Sequence, residues 1–121
     1  MRSILSIILI SILAFPGEGF QLRLINGEKE TFKKLSIVIG DKMYKFENFN
    51  SGDITEPIFL DGSYSYFLTC IITENDTIIT YPASYKGQRF YTSGKLTVKL
   101  TVAQMKDKKV ICFEPLYRHS R

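Results

Sequence analysis

Apolar and polar residues alternate with a period of two along the later part of the chain. The clearest case is GKLTVKLTVA at residues 94–103, where every second residue from Leu96 to Val102 is apolar and those between are Thr or Lys. Such a pattern predicts a strand with one face buried and the other in water. No segment of the mature chain shows a sustained helical period.

The stretch LSIVIGDKMYKF at residues 35–46 predicts a hairpin with the Gly-Asp pair at 40 and 41 as its turn. A glycine at the first central position suits a type II′ turn. This turn puts Ile37 opposite Tyr44. Two residues further from the turn, the same register puts Leu35 opposite Phe46. Both pairs place apolar groups on one face, so the predicted register is self-consistent.

A second hairpin is predicted in YSYFLTCIITENDTIITYP, residues 64–82. A two-residue turn at Asn75 and Asp76 pairs Ile72 with Ile79. The same register pairs Cys70 with Tyr81. The first strand is then a central core strand, and the side chains predicted to face the core are those of Tyr64, Tyr66, Leu68, Cys70 and Ile72.

Weaker strand patterns at residues 21–26, 56–60 and 110–114 bring the predicted total to about seven or eight short strands. Their apolar faces need two sheets to cover them, which predicts an all-β, immunoglobulin-like antiparallel β-sandwich. A small barrel is the alternative. The length of 121 residues suits one domain, predicted over residues 20–121, with a frayed tail from about residue 116.

The first nineteen residues predict a cleavable export signal. Arg2 precedes a dozen apolar residues at 4–15, and PGEG follows as a polar break. The apolar run is shorter than the roughly twenty residues of a membrane span. Gly17 and Gly19 occupy the positions that a signal peptidase reads, so we expect Phe20 at the mature N-terminus and a secreted or periplasmic protein with no stable membrane span. An uncleaved anchor is the alternative.

The arrangement from residue 22 to 114 resembles small exported immunoglobulin-like β-sandwich proteins of Gram-negative bacteria, most of them uncharacterised and many of them lipoproteins. The likeness rests on GDKMYKFENFNSGDITEPIFLDGSYSY and YPASYKGQRFYTSGKLTVKLTV. It consists of turns and strands, including a Tyr-x-Tyr strand and a Tyr-Lys-Gly segment. The resemblance implies a sandwich fold and a cell-envelope or secreted setting, and it carries no functional residues. Other members often have a lipid-attachment cysteine, and this chain departs from that pattern.

The charges of the chain argue against a nucleic-acid partner. The formal net charge is +4, and 45% of the residues are hydrophobic, which indicates a packed core. The Lys and Arg residues are scattered through predicted turns and wet faces, whereas a nucleic-acid binder concentrates them on one stripe. We therefore expect them to keep the protein soluble and to protect strand edges.

Catalytic and metal-binding patterns are not found in the sequence. The single histidine, His119, is the third residue from the end, where a preorganised catalytic geometry is not expected. Asp41, Asp53 and Asp61 each adjoin a glycine, so turn chemistry accounts for them. No clustered Cys and His ligands and no glycine-rich phosphate loop are present. The sequence predicts a non-enzyme without a metal or cofactor.

The two cysteines, Cys70 and Cys112, have two alternative interpretations. In an oxidising compartment they are candidates for a disulfide, which would contribute about 4 kcal/mol in the chain-entropy model. The alternative is a pair of buried thiols that act as small hydrophobic groups. Sequence alone does not determine the distance between them.

Asn75 lies in the sequence Asn-Asp-Thr at the predicted tip of the second hairpin. This is the acceptor pattern for N-glycosylation, and a hairpin tip would be open to a transferase. The pattern is short and often arises by coincidence. It has meaning only if the source is eukaryotic.

The best binding candidates lie in YKGQRFY, which joins two predicted strands without clean alternation and combines aromatic with cationic groups. They are Tyr85, Lys86, Arg89, Phe90 and Tyr91. The simpler interpretation is a loop whose aromatics cap the sandwich. The predicted function is a non-catalytic structural or binding module that contacts a protein or glycan at the cell envelope. A secreted effector, inhibitor or small enzyme with a shallow pocket is the alternative.

Overall fold

The computed structural model describes residues 19–81 and 90–116, which form eight strands in two four-stranded sheets. The strands are β1 (Phe20–Asn26), β2 (Phe32–Ile39), β3 (Lys42–Phe49), β4 (Ile58–Leu60), β5 (Leu68–Ile72), β6 (Thr77–Thr80), β7 (Gly94–Met105) and β8 (Lys108–Leu116). The first sheet has the order β4-β1-β7-β8 and the second β3-β2-β5-β6. The predicted all-β architecture with two sheets is therefore confirmed.

One strand pair departs from the predicted antiparallel arrangement. β1 and β7 run parallel, with Phe20 beside Gly94 and Asn26 beside Leu100. A short turn forces antiparallel pairing only between strands that are neighbours in sequence. More than sixty residues separate β1 from β7. The relative direction of these two strands is therefore decided by the route that the intervening chain takes through both sheets.

The β2–β3 hairpin forms as predicted. Ile37 pairs with Tyr44, and Leu35, the next core-facing residue of β2, pairs with Phe46. Gly40 begins the turn with φ of +66°, a left-handed conformation that glycine adopts without steric cost. The turn glycine and the matched apolar pairs both require the same register. The register of this hairpin could therefore be predicted from the sequence alone.

The register predicted for the β5–β6 hairpin is wrong. Ile72 pairs with Thr77 and Cys70 with Ile79, so four residues form the turn instead of two. Thr73 closes this turn: its N–H donates to the Asp76 carbonyl over 2.9 Å, and its Oγ1 accepts from the Asp76 N–H over 3.1 Å. These bonds to a threonine side chain and backbone stabilise a longer turn than the Asn-Asp pair predicts.

The predicted core face of β5 is also wrong. Thr69 and Ile71 are fully buried, whereas Leu68, Cys70 and Ile72 are half-buried on the opposite face. Tyr64 and Tyr66 precede the strand and lie in the loop between β4 and β5. Apolar residues occupy both faces of this stretch, so alternation does not identify the inner one. The buried Thr69 hydroxyl is satisfied because it donates to the Phe67 carbonyl over 2.8 Å.

Apolar side chains from both sheets fill the space between them. β1, β2 and β7 contribute three residues each to this core. The buried hydrophobic residues are Phe20, Leu22, Leu24, Phe32, Leu35, Ile37, Phe49, Ile58, Phe67, Ile71, Ile78, Leu96, Val98, Leu100 and Ile111. The buried face of the β7 strand is the one that its alternation predicts.

Both cysteines are free, and they lie on opposite outer faces of the sandwich. Cys112 is exposed next to the buried Ile111 of β8, so it points away from the core of the first sheet. Cys70 points away from the core on the second sheet. Because the whole core separates the two sulfurs, the structure contains neither the Cys70–Cys112 bridge nor a pair of buried thiols.

The predicted export signal and the predicted frayed tail fall almost entirely outside the described residues. β1 begins at Phe20, directly after the predicted cleavage position, and β8 ends at Leu116. Phe20 is 1% exposed and is part of the core. Within residues 19–81 and 90–116, no helix has the length and apolar character that a membrane span requires.

Candidate functional site

A cleft of about 470 Å³ opens at one end of the sandwich, where β2 ends and β5 begins. The β2–β3 turn forms one wall, and the loop at residues 61–67 forms the other together with Phe90. We call it the turn-end cleft. Its aromatic lining consists of Tyr44, Phe59, Tyr64, Tyr66, Phe67 and Phe90. Six aromatic rings around a cleft of this size are a composition typical of ligand sites.

The loop at residues 61–67 is fixed to the chain segment that precedes β7. Ser63 and Tyr91 exchange two backbone hydrogen bonds of 2.9 and 2.8 Å. The Tyr91 ring stacks on the buried Phe20, with ring centroids 5.7 Å apart. Tyr91 therefore joins the wall of the cleft to the core.

Phe90 lies at the mouth of the cleft and is 51% exposed. Its ring meets the Tyr64 ring edge to face, with centroids 4.9 Å apart. The ring rests on Gly62: a Cβ atom at that position would come within 2.7 Å of Phe90 Cε2. The absence of a side chain at Gly62 therefore sets the position of the Phe90 ring.

Polar groups are interspersed with the rings. Asp41 and Lys42 line the cleft from the β2–β3 turn, and Asp61 lines it from the opposite wall. All three residues are exposed. Their charged groups are therefore available to donate or accept hydrogen bonds with the polar atoms of a ligand.

The structure tests only part of the binding site predicted from sequence. Phe90 lines the turn-end cleft, whereas Tyr91 packs against the core beside it and acts as an anchor. Tyr85, Lys86 and Arg89 lie outside the described residues. Asn75 is exposed in the β5–β6 turn, as the sequence predicted.

Two tyrosines of the cleft, Tyr64 and Tyr66, were predicted from the sequence to face the core. Tyr64 and Tyr66 line the cleft in a segment without regular strand structure. Tyr66 also packs near Phe113, with ring centroids 6.0 Å apart. A signal was available in the Asp-Gly-Ser that precedes Tyr64, since this composition favours a loop over a strand.

A smaller hollow of about 190 Å³ lies at the other end of the sandwich. Lys109 Nζ lies 2.6 Å from the Asp76 carboxylate there. The hydrogen bond to Asp76, and then the negative charges of Asp76, Glu30 and Glu28, raise the pKa of Lys109 above its ordinary value of 10.5. Glu28 Oε2 also accepts from the Val102 N–H over 2.8 Å. These contacts join loops to strands, so we interpret the cluster as structural.

Across the described ranges, no group of three or more His, Cys, Asp or Glu side chains is placed to hold a metal ion. His119 lies outside those ranges. No protein-family model, no curated protein and no solved structure matches this chain. Any function must therefore be argued from the turn-end cleft itself.

Proposed function

We propose that this protein is an exported, non-catalytic binding module that takes a neutral glycan into the turn-end cleft, at the cell envelope or outside the cell. The observation that carries the proposal is the exposed Phe90 ring held against Tyr64 at the mouth of the cleft. Phe90 adjoins other aromatic groups that line the cleft, and a contiguous exposed apolar surface marks a binding site, whereas a single exposed side chain does not.

A sugar suits this combination of groups. One face of a pyranose ring presents C–H groups that pack on a flat aromatic surface, while its hydroxyls point outward. The carboxylates of Asp41 and Asp61 accept hydrogen bonds from such hydroxyls. A purely apolar ligand would leave these carboxylates desolvated without partners, which costs free energy.

Export and the immunoglobulin-like class are parts of the same proposal. The support for export is the charged, apolar and small-residue pattern of residues 1–19, together with a first described strand that begins at Phe20. The support for the class, and for the resemblance to exported sandwich proteins, is the pair of facing four-stranded sheets. In immunoglobulin constant domains the first two strands share a sheet, whereas β1 and β2 lie in different sheets here.

Titration of the purified chain with soluble tetrasaccharides of glucose and of N-acetylglucosamine, followed by amide chemical shifts, tests the proposal. We expect shifts at residues 61–67 and Phe90, and Phe90→Ala should weaken binding about ten-fold. Met105→Ala is the matched control, because Met105 is similarly exposed at the opposite end of the sandwich. An equal loss in both variants, or shifts confined to other surfaces, would contradict the proposal.

The alternative of an effector, inhibitor or small enzyme has one observation in its favour: Asp41 and Asp61 line the same cleft from opposite walls. Paired carboxylates are the groups that glycoside hydrolysis uses. The same titration separates the two functions, because a binding module returns the tetrasaccharide intact and a hydrolase releases shorter sugars. A glycan that binds but is cleaved would replace our proposal with the enzyme alternative.

A further inference from the structure

The outer face of the second sheet is largely apolar, with Ser36 and Thr77 among its apolar side chains and with Lys34, Lys45 and Glu47 on the part formed by β2 and β3. Its outward-pointing side chains include Met43 on β3, Val38 on β2 and Ile79 on β6, and Tyr81 follows β6. Met43 is 57% exposed, Ile79 47% and Tyr81 69%. We call this surface the apolar sheet face. Its seven members are Val38, Met43, Leu68, Cys70, Ile72, Ile79 and Tyr81.

Strand register shows that these side chains form one continuous surface. Val38 pairs with Met43 on one side and with Leu68 on the other. In the next outward row, Cys70 pairs with Ile79. The residues that alternate with them, such as Ile37 and Ile71, are fully buried in the core. The apolar sheet face is therefore a second hydrophobic layer on the side of the sheet opposite the core.

The outer face of the first sheet is different. On β7, the residues that alternate with the buried Leu96, Val98 and Leu100 are Thr and Lys. On β1 the corresponding residues include Gln21 and Arg23. A sheet with one solvated face normally carries polar residues on that face, and most outward residues of β1 and β7 follow this rule, although Ile25 and the exposed Phe59 of β4 are apolar. The outer face of the second sheet is thus more apolar than that of the first sheet.

We propose that a second copy of this chain covers the apolar sheet face, so that two sandwiches pack through it as a reversible symmetric dimer. The charged residues on the β2 and β3 part of this face are compatible with a second copy of the chain as the partner. Lys34 and Lys45 lie on the outward side with Glu47, and Lys34 pairs directly with Glu47. A face that carries both signs does not repel its own copy, whereas an anionic surface or a strongly charged partner would favour a single sign.

The size of the surface fits a weak dimer. Four strands about 4.8 Å apart and five residues long span roughly 300 Å² of sheet. Two faces of that area bury about 600 Å² of flat surface, and more once the relief of the side chains is counted, which is at or below the low end of specific interfaces. An exchanging dimer is therefore expected, and it should form as the protein concentration rises.

Cys70 provides a native reporter for this interface. It lies on β5, one of the two inner strands of the sheet, and it points away from the core. Face-to-face sheets pack about 10 Å apart, which is too far for a direct disulfide. A bismaleimide with an ethane spacer can bridge two Cys70 sulfurs across such a packing. Cys112 lies on the polar first sheet and serves as the control thiol.

The experiment treats the full chain with that bismaleimide across a concentration series. Cys112→Ser, which keeps Cys70, should give a covalent dimer, and Cys70→Ser should give none. Adding Ile79→Lys to the Cys112→Ser chain should abolish the dimer, while adding Thr101→Lys on the outer face of the first sheet should not. Circular dichroism spectra verify that both lysine variants remain folded.

Three results would overturn the proposal. The first is equal cross-linking through Cys112, which would indicate random collision. The second is a sedimentation coefficient that is independent of concentration. The third is flotation of the Cys112→Ser chain with phosphatidylcholine vesicles without a cross-linked dimer, which would assign the face to a membrane surface. None of these readouts depends on a glycan, so the outcome is independent of the turn-end cleft.

Discussion

At the scale of single residues, Asn26 is a buried polar residue whose side chain joins separate segments of the backbone through hydrogen bonds. It is 1% exposed at the end of β1. Its Nδ2 donates to the carbonyls of Glu30 and Phe49 over 3.0 and 2.9 Å, and its Oδ1 accepts from the Glu28 N–H over 2.7 Å. One side chain therefore satisfies backbone groups of the loop between β1 and β2 and of the last residue of β3.

Replacement of Asn26 by Ala should be strongly destabilising. The variant removes three hydrogen bonds, among them the buried one to the Phe49 carbonyl, so we expect the free energy of unfolding to fall by about 3 kcal/mol. Asn75→Ala, at an exposed turn, is the matched control and should change it by less than about 0.5 kcal/mol. Chemical denaturation of both variants measures the difference. Similar stabilities would contradict the structural role assigned to Asn26.

Residue types predicted some of these roles and not others. The Gly-Asp turn at residue 40 was visible because a positive φ favours glycine. Asn26 was not identifiable, since its partners Glu30 and Phe49 come together only when the β1–β2 loop and the end of β3 meet beside β1. Phe90 was predicted as a binding residue from composition. Its contact with Tyr64 depends on the distant loop that Tyr91 anchors.

At the scale of elements, an ion pair joins the start of β8 to the β5–β6 turn. Lys109 Nζ lies 2.6 Å from Asp76, and this contact is the main cause of its raised pKa. Because the pKa is raised in the folded state, the stabilisation is fully present below the ordinary value of 10.5. It is lost as the pH rises through the folded-state pKa. At neutral pH the interaction should therefore be insensitive to pH.

Asp76→Asn should lower the pKa of Lys109 toward its ordinary value, because it removes both the charge and the charge-assisted hydrogen bond. An NMR titration of the Lys109 side chain measures this shift. Glu74→Gln is the control, since Glu74 is next to the same turn but pairs with Lys33. The pairing would be disproved by a Lys109 pKa that is the same in Asp76→Asn as in the unmodified protein.

Elements differ in how well alternation predicts them. β7 was predicted with its correct buried face because Thr and Lys occupy every position opposite Leu96, Val98 and Leu100. β5 was assigned the wrong face because apolar residues lie on both sides of it. If a second copy covers the apolar sheet face, β5 is buried on both of its faces. Apolar residues on both sides of this strand would then have a physical cause.

At the scale of the whole molecule, two expectations concern the covalent state of the exported chain. We expect its mass to begin at Phe20, and we expect iodoacetamide to label both cysteines in the native state without a reductant. The first follows from the small residues at positions 17 and 19. The second follows because the two thiols lie on opposite outer faces of the sandwich.

Intact-mass spectrometry of the exported protein, with and without reductant, measures both. Gly19→Lys is the control for cleavage, because a long charged side chain at the predicted cleavage position should prevent processing. Retention of Met1 in the unmodified chain would favour the membrane-anchor alternative. Labelling that appears only after reduction would show a disulfide and contradict the arrangement of the two sheets.

By itself, the sequence determined that this is a β protein with two sheets, the register of the β2–β3 hairpin and the inner face of β7. These features depend on local alternation and turn residues, which act over a few neighbouring positions. Tertiary structure alone decided the parallel β1–β7 pair, the inner face of β5, the separation of the cysteines and the turn-end cleft. Each of these depends on contacts between segments far apart in the chain, and a local pattern carries no information about such contacts.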